Sequence, residues 1–501
     1  MIALSGCVSN SGVEPFNAGF TAGAVGDEPK SVLVARDILK AGGSAVDAAS
    51  AMYATMSVTY PVAAGLGGGG LCLIYDATSK RLESVDFLPR APISGGPFTV
   101  PGTVRGLAAM HGRYGRLPWE QIIGVAERLA HFEATASRAL IRHLATVPGG
   151  VGRDPSINRI FLRDGVGPVE GQALQQLDLA RTFAAIRRRG AGDFYQGSTA
   201  RRFVISTNEV GGQITIEDMR RYAVKWNKPT QFEVPSSLTR LGGESLILPP
   251  LDHVSAKRAA WMWQLLRHAG FDYDLTSSAR ADIISKASSR AMVMPFTDQS
   301  LDFGDVVNVW SQSVPSGAPM PITDTSGATA FAVGDASGQA VSCISTMNGG
   351  LGSKVIAPGM GVILTPNVDP NQSDIAFASP MMMVNTNTQQ VLMAGGGSGG
   401  TPDAVDLIRV VSDIMFGKHL PQDVIVTPRI FNAGRPSVVF AETGLAAAET
   451  DVLSKKGQVA LVEPFGRLNL IYCPKGMRSE PETCTLHNDP RGFGLNTSDI
   501  F

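Results

Sequence analysis

Apolar residues recur along the chain with two different spacings, and each spacing predicts a different kind of element. Helical spacing predicts helices, and alternating or continuous apolar runs between turn residues predict strands. The predicted helices cover residues 29–40, 44–58, 119–130, 174–189, 256–269 and 403–416. The predicted strands cover residues 71–75, 82–87, 329–333, 340–346, 361–364, 381–384 and 390–394.

The order of these elements predicts the class of fold. Strand pairs bracketed by helices occur near both ends of the sequence, which favours sheets covered by helices in a layered α/β architecture. A proline-, serine- and threonine-containing stretch, 296–326, is predicted as a loop between the two parts. With 501 residues that are 44% apolar, the chain is long enough to bury a large core.

Charge gives no support for a nucleic-acid partner or an anionic membrane surface. The chain carries 43 Lys and Arg against 44 Asp and Glu, for a net charge of −1. It has no apolar run of about 18 residues, the length that a transmembrane helix needs.

Near the N-terminus, Leu4-Ser5-Gly6-Cys7 resembles a bacterial lipobox, the motif whose cysteine receives a lipid. Residues 1–27 are therefore predicted to be an export-signal remnant and a flexible tether, with a lipid on Cys7 as the only membrane contact. The six residues before Cys7 are too few for the charged and apolar regions of a signal peptide. Two explanations stay open: the start of the sequence is placed too late, or the lipobox match is due to chance. The predicted location is the periplasm or the cell envelope.

The other cysteines divide into two pairs by context. Cys72 and Cys343 lie in apolar strand-like runs and are predicted to be small core residues. Cys473 and Cys484 flank a polar loop that a disulfide would close, as expected in an oxidising compartment.

A series of short motifs then appears in a fixed order from about residue 28 to the end. Together they resemble the γ-glutamyltransferase family. The motifs are 41–49 (AGGSAVDAA), 58–61 (VTYP), 65–70 (GLGGGG), 86–87 (DF) with 90–92 (RAP), 100–104 (VPGTV), 193–197 (DFYQG), 211–212 (GG) with Asp218 and Tyr222, 335–338 (DASG), 345–348 (STMN), 357–359 (APG), 379–380 (SP) and 396–400 (GGSGG).

The resemblance implies an αββα sandwich of the N-terminal-nucleophile hydrolase type, in a precursor that cuts itself before a threonine. Segments 28–328 and 329–501 would form one αββα unit as a heterodimer of cleaved fragments, with no cofactor. A threonine hydroxyl needs a neighbouring base, and an N-terminal threonine supplies its own amine. The α-amino group has a pKa of about 7.7–8.0, so part of it is neutral near pH 7.

The position of that threonine departs from the family pattern. Ala328 occupies the expected place, ten residues before Gly338, and Thr329 lies one residue later. Thr329 is predicted to be the nucleophile, with cleavage after Ala328. The alternative is that Thr329 is an ordinary strand residue of an uncleaved relative.

The resemblance also implies the surrounding site. Thr346 is the second threonine near the nucleophile, Asn348 binds substrate, and the backbone N–H groups of Gly399 and Gly400 form the oxyanion hole. Arg90 is predicted to bind the substrate carboxylate and Asp369 the substrate amine.

Three positions depart from the substrate-binding pattern. Leu88 stands where the family has its arginine, and Ala376 and Phe377 replace a serine pair. These changes weaken the inference of glutathione chemistry more than that of amide chemistry.

The sequence thus predicts an enzyme that cleaves a γ-glutamyl or related acyl amide and passes the acyl group to water or an amine. Two other interpretations stay open: a non-catalytic envelope binding protein, and a serine hydrolase. The latter would use Ser398 in a G-x-S-x-G motif, with His419 or His487 and an acid such as Asp403. No histidine spacing typical of a metal site appears.

Overall fold

The computed structural model describes residues 22–152, 154–162, 165–235, 242–272, 274–293, 303–312, 327–369, 373–434 and 438–498. The helices are α1 (Pro29–Lys40), α2 (Ala45–Thr59), α3 (Thr103–Tyr114), α4 (Trp119–Arg128), α5 (Arg138–Thr146), α6 (Pro155–Phe161), α7 (Leu177–Gln196), α8 (Ser198–Glu209), α9 (Ile216–Arg221), α10 (Val254–His268), α11 (Ser277–Val293), α12 (Val306–Ser311), α13 (Asp403–Met415), α14 (Pro421–Val426) and α15 (Ala447–Ser454).

The strands complete the set of regular elements. They are β1 (Gly23–Gly26), β2 (Gly69–Asp76), β3 (Arg81–Asp86), β4 (Lys225–Asn227), β5 (Thr230–Glu233), β6 (Glu244–Leu248), β7 (Ala328–Gly334), β8 (Ala340–Thr346), β9 (Ile356–Ala357), β10 (Val362–Ile363), β11 (Ser379–Asn385), β12 (Gln390–Ser398), β13 (Ile430–Asn432), β14 (Val438–Glu442), β15 (Gln458–Val462), β16 (Arg467–Tyr472), β17 (Thr485–Asn488) and β18 (Leu495–Ser498).

Two antiparallel sheets form the centre of the molecule. Sheet I has the strand order β18-β1-β7-β8-β2-β3-β4, and sheet II has the order β17-β16-β12-β11-β6-β5. Val25 and Ala332 of sheet I pack against Met382 and Ile471 of sheet II in a shared core. The two sheets therefore lie face to face.

Helices cover the outer face of each sheet. Phe331 and Val333 of β7 share a core with helices α1 and α2 on the outer side of sheet I. Met381 and Met383 of β11 share another core with helices α10 and α13 on the outer side of sheet II. The predicted αββα sandwich is confirmed.

Alternation along single strands explains these layers. In the run Met381-Met382-Met383, the first and third residues face helices and the second faces the other sheet, because successive side chains of a strand point to opposite faces. Helix α2 is buried along its whole length, as expected of a helix that is apolar on all sides.

Local signals set the beginnings of the first two helices. The Glu28 carboxylate accepts hydrogen bonds from the N–H groups of Lys30 and Ser31, and Pro29 occupies the first helical turn of α1. Ser44 and Asp47 form a capping box at the start of α2.

The structure corrects the predicted N-terminal tether at its end. Gly23–Gly26 is a buried strand that pairs with β7 on one side and β18 on the other. The lipobox and Cys7 lie outside the described residues. Part of the predicted loop 296–326 is also described, and it forms the short helix α12.

The structure confirms both cysteine predictions and adds a second disulfide. Cys473 and Cys484 form the predicted disulfide. Cys72 and Cys343 are buried core residues as predicted, and they also form a disulfide that was not predicted, because the pairing of β2 with β8 places them directly opposite each other. Among the described residues, no helix is long and apolar enough to cross a membrane.

Candidate active site

The pairing of β7 with β8 sets the position of the predicted nucleophile. Ala328 lies opposite Thr346, and Thr329 lies opposite Ser345. Ala328 packs in a small apolar cluster with Ile344 of β8. Neighbouring side chains of a strand point to opposite faces of the sheet. The side chains of Ala328 and Thr346 therefore lie on one face, and that of Thr329 lies on the other.

The Thr329 hydroxyl is fully buried and donates a hydrogen bond to Asp27 Oδ2 at 2.7 Å. Ser398 Oγ donates to the same oxygen at 3.0 Å, and Arg467 Nε lies 3.3 Å from it. Asn469 Nδ2 donates to the other carboxylate oxygen, Oδ1, at 2.8 Å. We call these five residues the Asp27 cluster.

None of the sequence motifs contains Asp27, Arg467 or Asn469, so these residues were not predicted to belong to the site. Asp27 was placed in the tether, and it is 302 residues from Thr329 and 440 from Arg467 along the chain. No spacing signal joins residues so far apart, so only the fold brings them together.

The predicted oxyanion-hole glycines form the turn between β12 and α13. Gly399 and Gly400 have φ angles of 118° and 145°, a region that side chains strongly disfavour. A Cβ on Gly399 would lie 2.9 Å from Arg467 Nη1, so the turn rests directly on the Asp27 cluster. The Gly400 N–H donates to Asp403 Oδ2 at 2.6 Å.

The predicted substrate-binding residues lie on neighbouring strand ends and loops. Asn348 follows β8 with φ 54°, and its backbone N–H donates to Thr346 Oγ1 at 2.9 Å. Asn348 Nδ2 donates to Pro366 O at 3.3 Å, which connects Asn348 to the loop that carries Asp369. Asp369 is exposed.

Arg90 follows β3 and is held by two neighbours. Its Nη2 lies 3.4 Å from Asp86 Oδ2, and its guanidinium lies over the Tyr222 ring, 5.5 Å from the ring centre. About a third of the Arg90 side chain is exposed, at 32%, so its guanidinium is oriented but accessible.

Apolar residues take the places of the family's polar substrate-binding groups. Leu88 packs against the apolar cluster that contains Ala328 and Ala378. Arg258 of α10 donates from Nη1 to Ala376 O at 2.5 Å and lies over the Phe377 ring, 4.4 Å from its centre. Burial lowers the pKa of Arg258 to about 10.

The serine-hydrolase interpretation finds no triad in the part of the chain that the structure describes. Ser398 Oγ donates to Asp27 and accepts from the Ala330 N–H at 3.1 Å, with no histidine in contact. His419 is exposed in the loop that follows α13. His487 Nε2 is 2.7 Å from Thr485 Oγ1, and burial lowers the His487 pKa to about 4.

Comparison with known proteins supports one family. The sequence profile described as Gamma-glutamyltranspeptidase matches residues 31–312 and 274–494, two overlapping stretches that cover most of the chain. A glutathione hydrolase proenzyme of Pseudomonas aeruginosa is 26% identical, over 99% of this chain and 98% of its own. Glutathione hydrolase 3 of Arabidopsis thaliana is 24% identical, over 83% of this chain and 73% of its own.

One solved structure has the same fold over nearly the whole length of both chains. It is a cephalosporin acylase from Bacillus halodurans, with a TM-score of 0.78, 20% sequence identity and 99% coverage of each chain. At that identity the likeness establishes the fold.

Proposed function

The chain belongs to the γ-glutamyltranspeptidase family of acyl-amide hydrolases and transferases, and we propose that it becomes active by cutting itself between Ala328 and Thr329. The freed Thr329 then cleaves a γ-glutamyl or related acyl amide and passes the acyl group to water or an amine. Relatives named as proenzymes support the self-processing step.

The observation that carries the proposal is the position of Thr329 at the start of β7. Its hydroxyl is held 2.7 Å from a carboxylate, and it shares that carboxylate with Ser398, the residue next to Gly399. A threonine hydroxyl, a proton acceptor and glycine N–H donors are the groups that acyl transfer needs.

In the proposed reaction, the liberated amine of Thr329 takes the proton from its own hydroxyl as that oxygen attacks the substrate carbonyl. The Gly399 N–H stabilises the developing oxyanion. The Gly400 N–H is bound to Asp403 in the uncleaved chain, so Gly400 contributes only after the Asp403 side chain moves away.

The test is denaturing electrophoresis of the purified full chain with reductant. We expect two fragments of about 330 and 170 residues, with the smaller one beginning at Thr329 on N-terminal sequencing. Thr329→Ala removes the hydroxyl, so it abolishes both cleavage and hydrolysis of acyl anilides, whereas Thr329→Ser retains both.

The matched control is Ser345→Ala. Ser345 is the buried hydroxyl residue opposite Thr329, and it donates to Ala63 O. We expect this variant to be cleaved like the wild type. A wild-type chain that stays intact would contradict the proposal and support the uncleaved binding protein, which is favoured by Ala328 standing opposite Thr346.

We also propose that the protein works in the periplasm or cell envelope. The two disulfides support an oxidising compartment. The proposed lipid on Cys7 is tested by labelling cells with a radioactive fatty acid: the label should enter the wild type and not Cys7→Ser.

A further inference from the structure

The Asp27 cluster lies where the pairing of β1 with β7 ends. Strand β1 ends with Gly26 opposite Phe331, so Ala330, the residue before Phe331 in β7, has no strand on that side. Two side chains of sheet II form hydrogen bonds with the Ala330 backbone instead. Ser398 Oγ accepts from the Ala330 N–H, and Asn469 Nδ2 donates to Ala330 O at 3.0 Å. The same two side chains also bind Asp27.

This arrangement fixes the Asp27 carboxylate in a single position. Oδ1 accepts a hydrogen bond from Asn469. Oδ2 accepts hydrogen bonds from Thr329, Ser398 and Arg467. Asp27 is 2% exposed and Thr329 is fully buried, so bulk water does not compete for the contact. A carboxylate aligned in this way is a preorganised acceptor for the Thr329 proton.

We propose that Asp27 is the catalytic base of the self-cleavage reaction. This inference rests on the proposed function, but it concerns a step that precedes it, when Thr329 is still inside the chain and its nitrogen is an amide. An amide nitrogen is not basic, so the uncut chain needs another proton acceptor, and Asp27 contacts the reacting oxygen.

The proposed step balances as follows. Thr329 Oγ1 bonds to the carbonyl carbon of Ala328 while its proton passes to Asp27. The C–N bond between residues 328 and 329 breaks, the proton goes to the leaving nitrogen, and Ala328 remains joined to Thr329 Oγ1 as an ester. One water molecule then hydrolyses the ester, which restores the hydroxyl and leaves Ala328 as a carboxylate.

The test follows the appearance of fragments from full-length chain made by cell-free synthesis. Asp27→Asn retains the size of the side chain and removes its basicity, so we expect cleavage to slow by about 10²- to 10⁴-fold. The matched control is Glu28→Gln, which alters the neighbouring buried carboxylate. Glu28 binds the start of α1 and Thr59, so this variant should be cleaved at the wild-type rate.

Two further measurements separate a base from a structural group. Hydroxylamine should trap the wild-type ester as a hydroxamate on Ala328. Asp27→Asn combined with Asn469→Asp keeps one carboxylate in the cluster but moves it away from Thr329, and it should remain slow.

The outcomes are distinguishable. An intact wild-type chain would overturn the proposed function and this inference together. A wild-type chain that is cut before Thr329, with Asp27→Asn folded and cut equally fast, would overturn the role of Asp27 alone. If Asp27→Asn alone does not fold, a folded Asp27→Asn/Asn469→Asp variant that is cut at the wild-type rate would overturn it.

Discussion

At the scale of single residues, the offset between Ala328 and Thr329 determines what the site can do. Ala328 stands opposite Thr346 and has no hydroxyl. Thr329 has the hydroxyl, but its partner is Asp27. Any reaction at the start of β7 therefore depends on the Asp27 cluster as well as on Thr329 and Thr346, the two threonines that the motifs suggested.

Arg90 gives a test of substrate recognition at the same scale. If its guanidinium binds the substrate carboxylate, Arg90→Ala should raise KM for a γ-glutamyl anilide about tenfold or more, since a hydrogen bond to a charged group contributes about 1.5–3 kcal/mol. KM for an anilide with an apolar acyl group should not change. Steady-state kinetics on both substrates measures this.

The control for Arg90 is Arg113→Ala. Arg113 likewise pairs with a carboxylate, Glu83 at 2.7 Å, and lies over an aromatic ring, that of Trp226 at 4.5 Å. Equal effects of the two substitutions on both substrates would show that Arg90 has a packing role instead.

Single residues also mark the limit of prediction from sequence. The motif residues Thr346 and Asn348 could be singled out because they lie in a short recognisable run, and the structure joins them by a hydrogen bond. Asp27 could not be, because its partners come from three distant parts of the chain, at Thr329, Ser398 and β16. Leu88 was recognised as a departure, but only the fold shows that it packs near Ala328.

At the scale of elements, boundaries were predictable where the signal was local. Helix α1 begins and ends at the predicted residues, because Glu28 and Pro29 mark its start and Gly42, with φ 86°, follows its end. Strand β12 was predicted to end at residue 394, since glycines disfavour strands. It continues to Ser398 because β11 and β16 pair with it on both sides. Strand β1 was not predicted because it also contains glycines, and it forms because β18 and β7 pair with it on both sides.

One contact between elements predicts a pH effect on stability. His143 of α5 is buried and hydrogen-bonded to Tyr60 at the end of α2. Burial first, and then the positive charges of Arg467 and Arg142, hold the pKa of His143 well below its usual 6.5. The folded protein therefore keeps His143 neutral while the unfolded chain takes up a proton below about pH 6.5.

As pH falls below about 6.5, His143 should reduce the free energy of unfolding by up to about 1.4 kcal/mol per pH unit. Urea unfolding at several pH values should show a shallower loss in His143→Gln than in the wild type. The control His131→Gln changes an exposed histidine and should keep the wild-type slope. The same slope in all three proteins would contradict this role.

At the scale of the whole molecule, the two segments on either side of residue 328 are interleaved. In sheet I, β7 and β8 of the second segment lie between β1 and β2 of the first. In sheet II, β6 of the first segment pairs with β11 of the second. A cut after Ala328 separates only the first residue of β7 from the strand, and the pairs from Thr329–Ser345 to Gly334–Ala340 remain, so the fragments should remain associated as a heterodimer.

The Cys72–Cys343 disulfide adds a covalent consequence. Cys72 belongs to the first segment and Cys343 to the second, so a self-cut protein would be two polypeptides still bonded through sulfur. Without reductant it should migrate in denaturing gels as one species of full mass. Both sulfurs belong to fully buried residues, so reductant should separate the fragments only after denaturation.

Paired substitutions test this link. Cys72→Ala with Cys343→Ala should release two fragments in a non-reducing denaturing gel, whereas Cys473→Ala with Cys484→Ala should not, because that bridge lies within one segment. Two fragments from the wild type without reductant would contradict the link. With the link intact, cutting makes a new chain terminus without making a subunit that can leave, so the mature protein should survive dilution that would dissociate a purely non-covalent pair.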